Sequence, residues 1–278
     1  MKNLCLRTVL LAVTSLMTLS LSAQHTLEKL WETDSLLATP ESVLYDAETK
    51  ILFVSNIGDF QKEGSGSVSK VGLDGEIIHN HWITGLTATK GMGLYNNLLY
   101  AAEQTTIAVI DTKKGVIRQR IEVEGAQFLN DVTIDKKGNV YVSDSKTGKV
   151  HRIKQGMASV YIDNLNGVNG LLADGNDLFI LADGLLLKAD SEKNMTTLAE
   201  GIEGGADGIV KMNENEFIVT GWEGIIYHIS DSGVKTVLSD TRDEQINSAD
   251  PGYNPADKII YIPTFSKNSV VAYRLKEP

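Results

Sequence analysis

Six times along the chain, a polar residue is followed by a small or apolar pair, a short polar turn and a β-rich run. The copies are ESVLYDAETKILFVSN from Glu41, KGMGLYNNLLYAAE from Lys90, NDVTIDKKGNVYVSD from Asn130, NGLLADGNDLFILAD from Asn169, DGIVKMNENEFIVTG from Asp207 and DPGYNPADKIIYIPT from Asp250. Their leading residues lie 49, 40, 39, 38 and 43 positions apart, and each run carries an aromatic: Phe53, Tyr100, Tyr141, Phe179, Phe217 or Tyr261. Alternating apolar residues around turns such as DKKGN and DGND are strand signals. A third strand often follows, as in GKVHRI, GLLLKAD, GIIYHIS and SVVAYRL. Nothing after the first 23 residues sustains a long helical period. Repeats of ~40 residues holding several strands each are propeller blades. The chain is therefore expected to be all-β, a single six-bladed β-propeller over residues 24–278. His25–Leu37 is expected to supply the outer strand that closes the ring with the last blade.

The N-terminus reads differently. Lys2 and Arg7 precede the apolar run LLAVTSLMTLSLSA, and small residues lead to Ala23–Gln24. Residues 1–23 therefore read as a signal peptide, the run being short for a membrane span. Its removal would take away Cys5, the only cysteine, which points to a periplasmic or secreted protein without disulfides. The formal net charge is −10, and removal of the leader makes it more acidic. Without basic runs, the chain is not expected to bind nucleic acid or, once cleaved, a membrane surface. A small-molecule substrate is the expected partner.

In a propeller the innermost strands run beside the axis, so the residues that start them are expected to meet at one mouth of the channel. Those residues are Glu41, Lys90, Asn130, Asn169, Asp207 and Asp250. Unpaired charge is costly at a converging centre. Three carboxylates and two carboxamides are hard oxygen donors that suit Ca²⁺ or another divalent cation. A water-filled channel lined by turn-forming Asn and Asp remains open beside that reading.

The motifs PES near the start, FLND in the third repeat, VNG in the fourth and ADG in the fifth resemble the SMP-30/gluconolactonase/LRE-like group. That group consists of six-bladed propellers and includes regucalcin, sugar lactonases and, more distantly, diisopropylfluorophosphatase. The resemblance runs from about Thr39 to Leu275. It implies a divalent cation, usually Ca²⁺, held by Glu41, Asn169 and Asp207. Asn130 would be a further ligand or a substrate contact. There are departures from the family pattern. PESVLYD replaces the PEGP-plus-aromatic motif of lactonases, and Phe128 stands where they carry an arginine that would meet sugar hydroxyls. An aldonolactone is therefore a doubtful substrate.

These residues give a calcium-dependent hydrolase of a lactone or related ester, with Asp207 as base or nucleophile and Asp250 as the alternative base. Asn130, Lys90, Phe128 and Trp222 are candidate substrate contacts. For Lys90 the plainer reading is an ion pair with Glu41 or Asp250, and for Trp222 and Phe265 it is packing between blades. His79 and His81 read as exposed outer-strand residues, and Gly58–Ser69 as a solvated loop, with a lid over the mouth as the sharper reading. The competing function is a non-catalytic propeller that binds a ligand or protein and keeps the metal for structure. Phosphotriester hydrolysis shares the same ligand set.

Overall fold

In the computed structural model, which describes residues 24–277, the chain forms six four-stranded antiparallel sheets around a common axis. The leader assigned to residues 1–23 lies outside the described residues. The first blade holds β2 (Pro40–Asp46), β3 (Ile51–Asn56), β4 (Gly66–Gly72) and β5 (Ile77–Leu86). The next four follow in chain order, with inner strands β6 (Met92–Tyr95), β10 (Leu129–Ile134), β14 (Leu171–Asp174) and β18 (Ala206–Lys211). The sixth joins β22 (Gly252–Asn254), β23 (Ile259–Pro263) and β24 (Val270–Lys276) to β1 (Thr26–Glu32) from the chain's start.

That last pairing closes the ring as expected. β1 runs antiparallel to β24 from Thr26↔Lys276 to Glu32↔Val271. Trp31 anchors it: its indole N–H donates to the Leu73 carbonyl at 2.9 Å, and its ring lies 5.8 Å from that of Tyr261. Closure leaves no central edge strand exposed.

The core is divided as the repeat dictates. Each of six apolar clusters spans one pair of neighbouring blades. For example, Phe53, Val68 and Leu86 of blade one meet Leu99, Ala108 and Ile110 of blade two. Phe179 and Leu181 of blade four meet Phe217, Val219 and Tyr227 of blade five. The recurring aromatic of the second strand thus fills the gap between sheets, where a fully buried ring or large aliphatic contributes about 1.5–3 kcal/mol.

Near the axis the inner strands almost touch, which explains the NG and DG dipeptides. A Cβ on Gly170 would lie 2.5 Å from the Asp207 carbonyl oxygen. One on Gly208 would lie 2.2 Å from Pro251 Cδ and 2.6 Å from Asp250 Cα. Only glycine lets one blade's inner strand approach the next this closely. Among the described residues, no helix is long and apolar enough to cross a membrane.

Candidate functional site

A cavity of about 710 Å³ opens at one end of the axis. Five of the six leading residues lie on it: Glu41, Lys90, Asn130, Asn169 and Asp207, each from a different blade. Glu41, Lys90, Asn130 and Asp207 are buried.

Asp250 departs from expectation. The backbone N–H groups of Lys90 and Asn169 donate to carbonyls ending their blades' second strands, Ala102 and Leu181. In blade six the residue that does so, to Pro263, is Ala249. Asp250 occupies the following position, as its N–H bond to the Glu41 carbonyl shows; Gly91 makes the same bond to Asn130. A one-residue step along a strand reverses the side chain's direction. Asp250 therefore lines a separate 260 Å³ cavity, together with Asp131. Its carboxylate accepts a bond from the Ser42 hydroxyl at 2.5 Å. As a base acting in the main cavity it is out of place.

Three of the four expected cation ligands carry a buried oxygen without a hydrogen-bond partner: Glu41 Oε2, Asn130 Oδ1 and Asp207 Oδ2. The remaining groups fix the frame around them. Asn169 Nδ2 donates to Asp207 Oδ1 at 2.5 Å, and Asn130 Nδ2 donates to Ser145 Oγ at 3.2 Å. Buried oxygens left unpaired are costly, of order 1–3 kcal/mol each, and need an explanation. Carboxylate and carboxamide oxygens converging from three blades are the donor set of a hard divalent cation. Among the described residues no three His, Cys, Asp or Glu side chains form a ligating group, so the carboxamides are indispensable to any such site. The residues fit the cation that the sequence implied.

The electrostatics agree. Burial, and then the Asp207 charge, push the Glu41 carboxyl well above the usual carboxylate range. Burial raises Asp207 to about 7, against the hydrogen bond from Asn169 that favours its ionised form. Asp131, which the sequence reading passed over, is raised to about 6 by burial although the Leu171 and Val132 amides bind it. A second carboxylate directly after the leading Asn was the available signal. Asp250 is pushed well above the usual range by burial and by the charges of Asp131 and Glu41. Four carboxyl groups thus crowd the axis at positions where the fold itself disfavours their ionised forms.

Among the described residues Lys90 makes no ion pair within 4.0 Å, so the expected pairing with Glu41 or Asp250 is not what holds it. Its ammonium donates to the Ala88 carbonyl at 2.9 Å and lies 4.5 Å from the centre of the Phe128 ring. A cation over an aromatic face is attracted by the ring's quadrupole. Burial draws Lys90 down to about 8, while the Glu41 and Glu103 charges oppose the shift. Phe128 thus gives the wall an aromatic surface covered by a cation.

The rim is also aromatic. Phe60, Trp222 and Phe265 line the cavity with Ile57 and Ile202. Trp222 is 42% exposed, and its ring also meets that of Phe265 from the neighbouring blade. The loop holding Phe60 belongs to the rim, whereas His79 and His81 are exposed on the outer strand as expected.

No protein-family model matches the chain, and no curated protein sequence matches it. Solved structures do. A streptogramin B lyase superposes with a TM-score of 0.67 at 10% identity, over 91% of this chain and 98% of that one. A gluconolactonase from Xanthomonas campestris gives 0.68 at 15% identity, over 86% and 87%. A chain from a nidogen–laminin complex gives 0.64 at 15% identity, over 78% and 85%. Likeness at this level of identity establishes the β-propeller fold that the six blades display.

Proposed function

We propose that the chain is a divalent-cation-dependent hydrolase acting on a lactone or related ester, with Ca²⁺ the natural ion. The observation that carries this reading is the set of unpaired buried oxygens of Glu41, Asn130 and Asp207 on the floor of a substrate-sized open cavity. Those residues, with Asn169, would hold the ion. A cation there supplies positive charge that polarises the scissile carbonyl and favours the oxyanion.

The chain's own groups do the rest. Asp207 would be the base through Oδ1, the carboxylate oxygen not offered to the ion, which takes a proton from the attacking water as the new C–O bond forms. It returns that proton to the departing alkoxide oxygen as the ester C–O bond breaks. Asn169 Nδ2 fixes the orientation of that carboxylate. Lys90 places an ammonium beside the floor, where it favours the carboxylate product. The gluconolactonase among the similar structures agrees with this chemistry. A periplasmic or extracellular location, which the signal-like N-terminus supports, would suit this reading, because calcium is available there.

The test is direct. The protein, stripped with a chelator, is titrated with Ca²⁺ by calorimetry and screened against lactones and carboxylic esters with and without the ion. One bound cation, lost in Glu41→Gln and Asp207→Asn, together with ion-dependent hydrolysis, supports the reading. Binding of the ion without turnover of any lactone or ester would leave a ligand-binding propeller with a structural metal. No cation binding at all removes both.

A further inference from the structure

We propose that Phe60, Trp222 and Phe265 form an aromatic clamp that selects a substrate carrying an aryl group fused beside the scissile bond, in place of a polyhydroxylated ring. The inference rests on the ester or lactone reading for the bond cleaved, but its binding consequence does not.

The three rings come from three blades. Phe60 lies in the β3–β4 loop, Trp222 between β19 (Phe217–Gly221) and β20 (Ile225–Ile229), and Phe265 in the turn Phe265–Lys267 that follows β23. Trp222 stands edge-on to Phe265, with centroids 5.3 Å apart and planes at 82°. The Phe60 ring lies 6.4 Å from that of Phe265, with planes at 40°. Among the described residues, Phe60 and Trp222 are the only exposed Phe, Tyr or Trp side chains. Both sit on one cavity whose floor is polar, which is the pattern of a site built to take an apolar group and orient a polar one.

The clamp is also held in place. The Trp222 N–H donates to the Gly205 carbonyl, and its carbonyl accepts from Ser248 N–H and Asn247 Nδ2. The Oδ1 of the same Asn247 accepts from the Ser266 hydroxyl at 2.6 Å, tying the Phe265 turn to the Trp222 loop. Phe265 has φ +50°, a left-handed conformation that bulky residues avoid. Gly or Asn would sit there with less strain. A ring kept at such a position, facing a binding cavity, points to use of the ring itself. Phe128 extends the same character down the wall towards Lys90. An aromatic guest can meet these rings edge-to-face or offset-stacked, a geometry a saturated ring cannot reproduce.

The experiment uses matched six-membered rings. Two lactams that resist hydrolysis, the benzo-fused dihydroquinolinone and δ-valerolactam, are titrated calorimetrically into the Ca²⁺-loaded protein. In parallel, hydrolysis of dihydrocoumarin, δ-valerolactone and glucono-δ-lactone is followed. The benzo-fused lactam is expected to bind at least about ten-fold more tightly than its plain counterpart. Trp222→Ala and Phe265→Asn should each remove most of that preference while leaving cation binding intact. Trp222 is half-exposed and Asn suits the Phe265 backbone, so both variants should fold; a retained melting temperature checks this. If the lactams bind with the selectivity lost in both variants but no lactone is hydrolysed, the clamp stands and the hydrolase reading falls. If the two lactams bind alike, or the two variants keep the preference, the clamp is overturned; lactone hydrolysis then leaves the hydrolase reading standing, and its absence removes that reading as well.

Discussion

Glu41→Gln should make the metal-free protein more stable and the calcium-loaded protein less so. Without a cation, Glu41 is buried, has one oxygen unpaired and faces the charge of Asp207. At neutral pH it either stays ionised against that environment or takes up a proton that the unfolded chain would not bind. Both options cost folding free energy, because its carboxyl is held above the usual range and each pKa unit is worth about 1.4 kcal/mol. A carboxamide of the same shape avoids both, so the metal-free variant should melt higher than the metal-free wild type. With calcium present, a ligand that binds only the folded state stabilises by about 2.7 kcal/mol at a hundred times its dissociation constant. For a chain of this size 1 kcal/mol moves Tm by about 2–4 °C, so calcium should raise wild type by roughly 5–10 °C and the variant by far less. Scanning calorimetry or dye-based melting of four samples, each protein with chelator and with calcium, reads the crossing directly. If the variant melts lower than wild type by the same margin in both conditions, Glu41 is a structural carboxylate and the reasoning fails.

Other outcomes test the frame that positions the site. Gly208→Ala should cost about 1–3 kcal/mol or more by chemical denaturation and weaken cation binding, because the new Cβ meets Pro251 and the Asp250 backbone beside Asp207. An unchanged midpoint would mean the blades separate more easily than their spacing implies. Trp31→Ala should lose roughly 2–4 kcal/mol by opening the closure between the first strand and blade six, and it should leave the lactam selectivity of the folded protein unaltered. His151 is buried 3.8 Å from Asp144, and burial holds its imidazole below the ordinary value. The folded state therefore binds fewer protons than the unfolded chain, so His151 contributes stability above about pH 6.5 that is lost as pH falls through that value. The difference between wild type and His151→Leu, measured from about pH 7.5 to about pH 5.5, should shift against wild type. Taking the difference matters, since the raised axial carboxylates titrate in the opposite sense.

The fold was legible because each repeat carries its own packing instructions. Phe53, Tyr141, Phe179 and Tyr261 recur at one place in the second strand because that place faces the gap to the next blade, while Phe217, paired with Lys211, fills the gap to the preceding one. The glycines of NG and DG recur because inner strands converge. Both signals are local in sequence, so spacing alone reveals them. The closing strand could be read for a related reason: the last repeat lacked a fourth strand, and the apolar residues around Trp31 supplied one.

The site was legible only as far as register follows the repeat. Five leading residues arrive at the cavity because their strands start in step, and Asp250 misses it because blade six starts one residue earlier, at Ala249. A single-residue offset is invisible in letters that read DPG as readily as ADP, yet it turns a carboxylate from one opening of the channel to the other. The same limit explains Lys90. Its opposite-charge neighbours in the ring suggested a pair, whereas the structure holds the ammonium with the Ala88 carbonyl and the Phe128 face. This arrangement removes the conflict of a lysine beside a cation site. Because the ammonium does not neutralise Glu41 by contact, the carboxylate oxygen stays available to a divalent ion. Phe128 is then the residue that makes a lysine tolerable at that position. Phe128→Arg should accordingly weaken cation binding by placing a second positive charge beside Lys90. Calorimetric titration with calcium at low and high salt would measure it. An unchanged affinity at low salt would show that the Phe128 wall stands too far from the ion for its charge to matter.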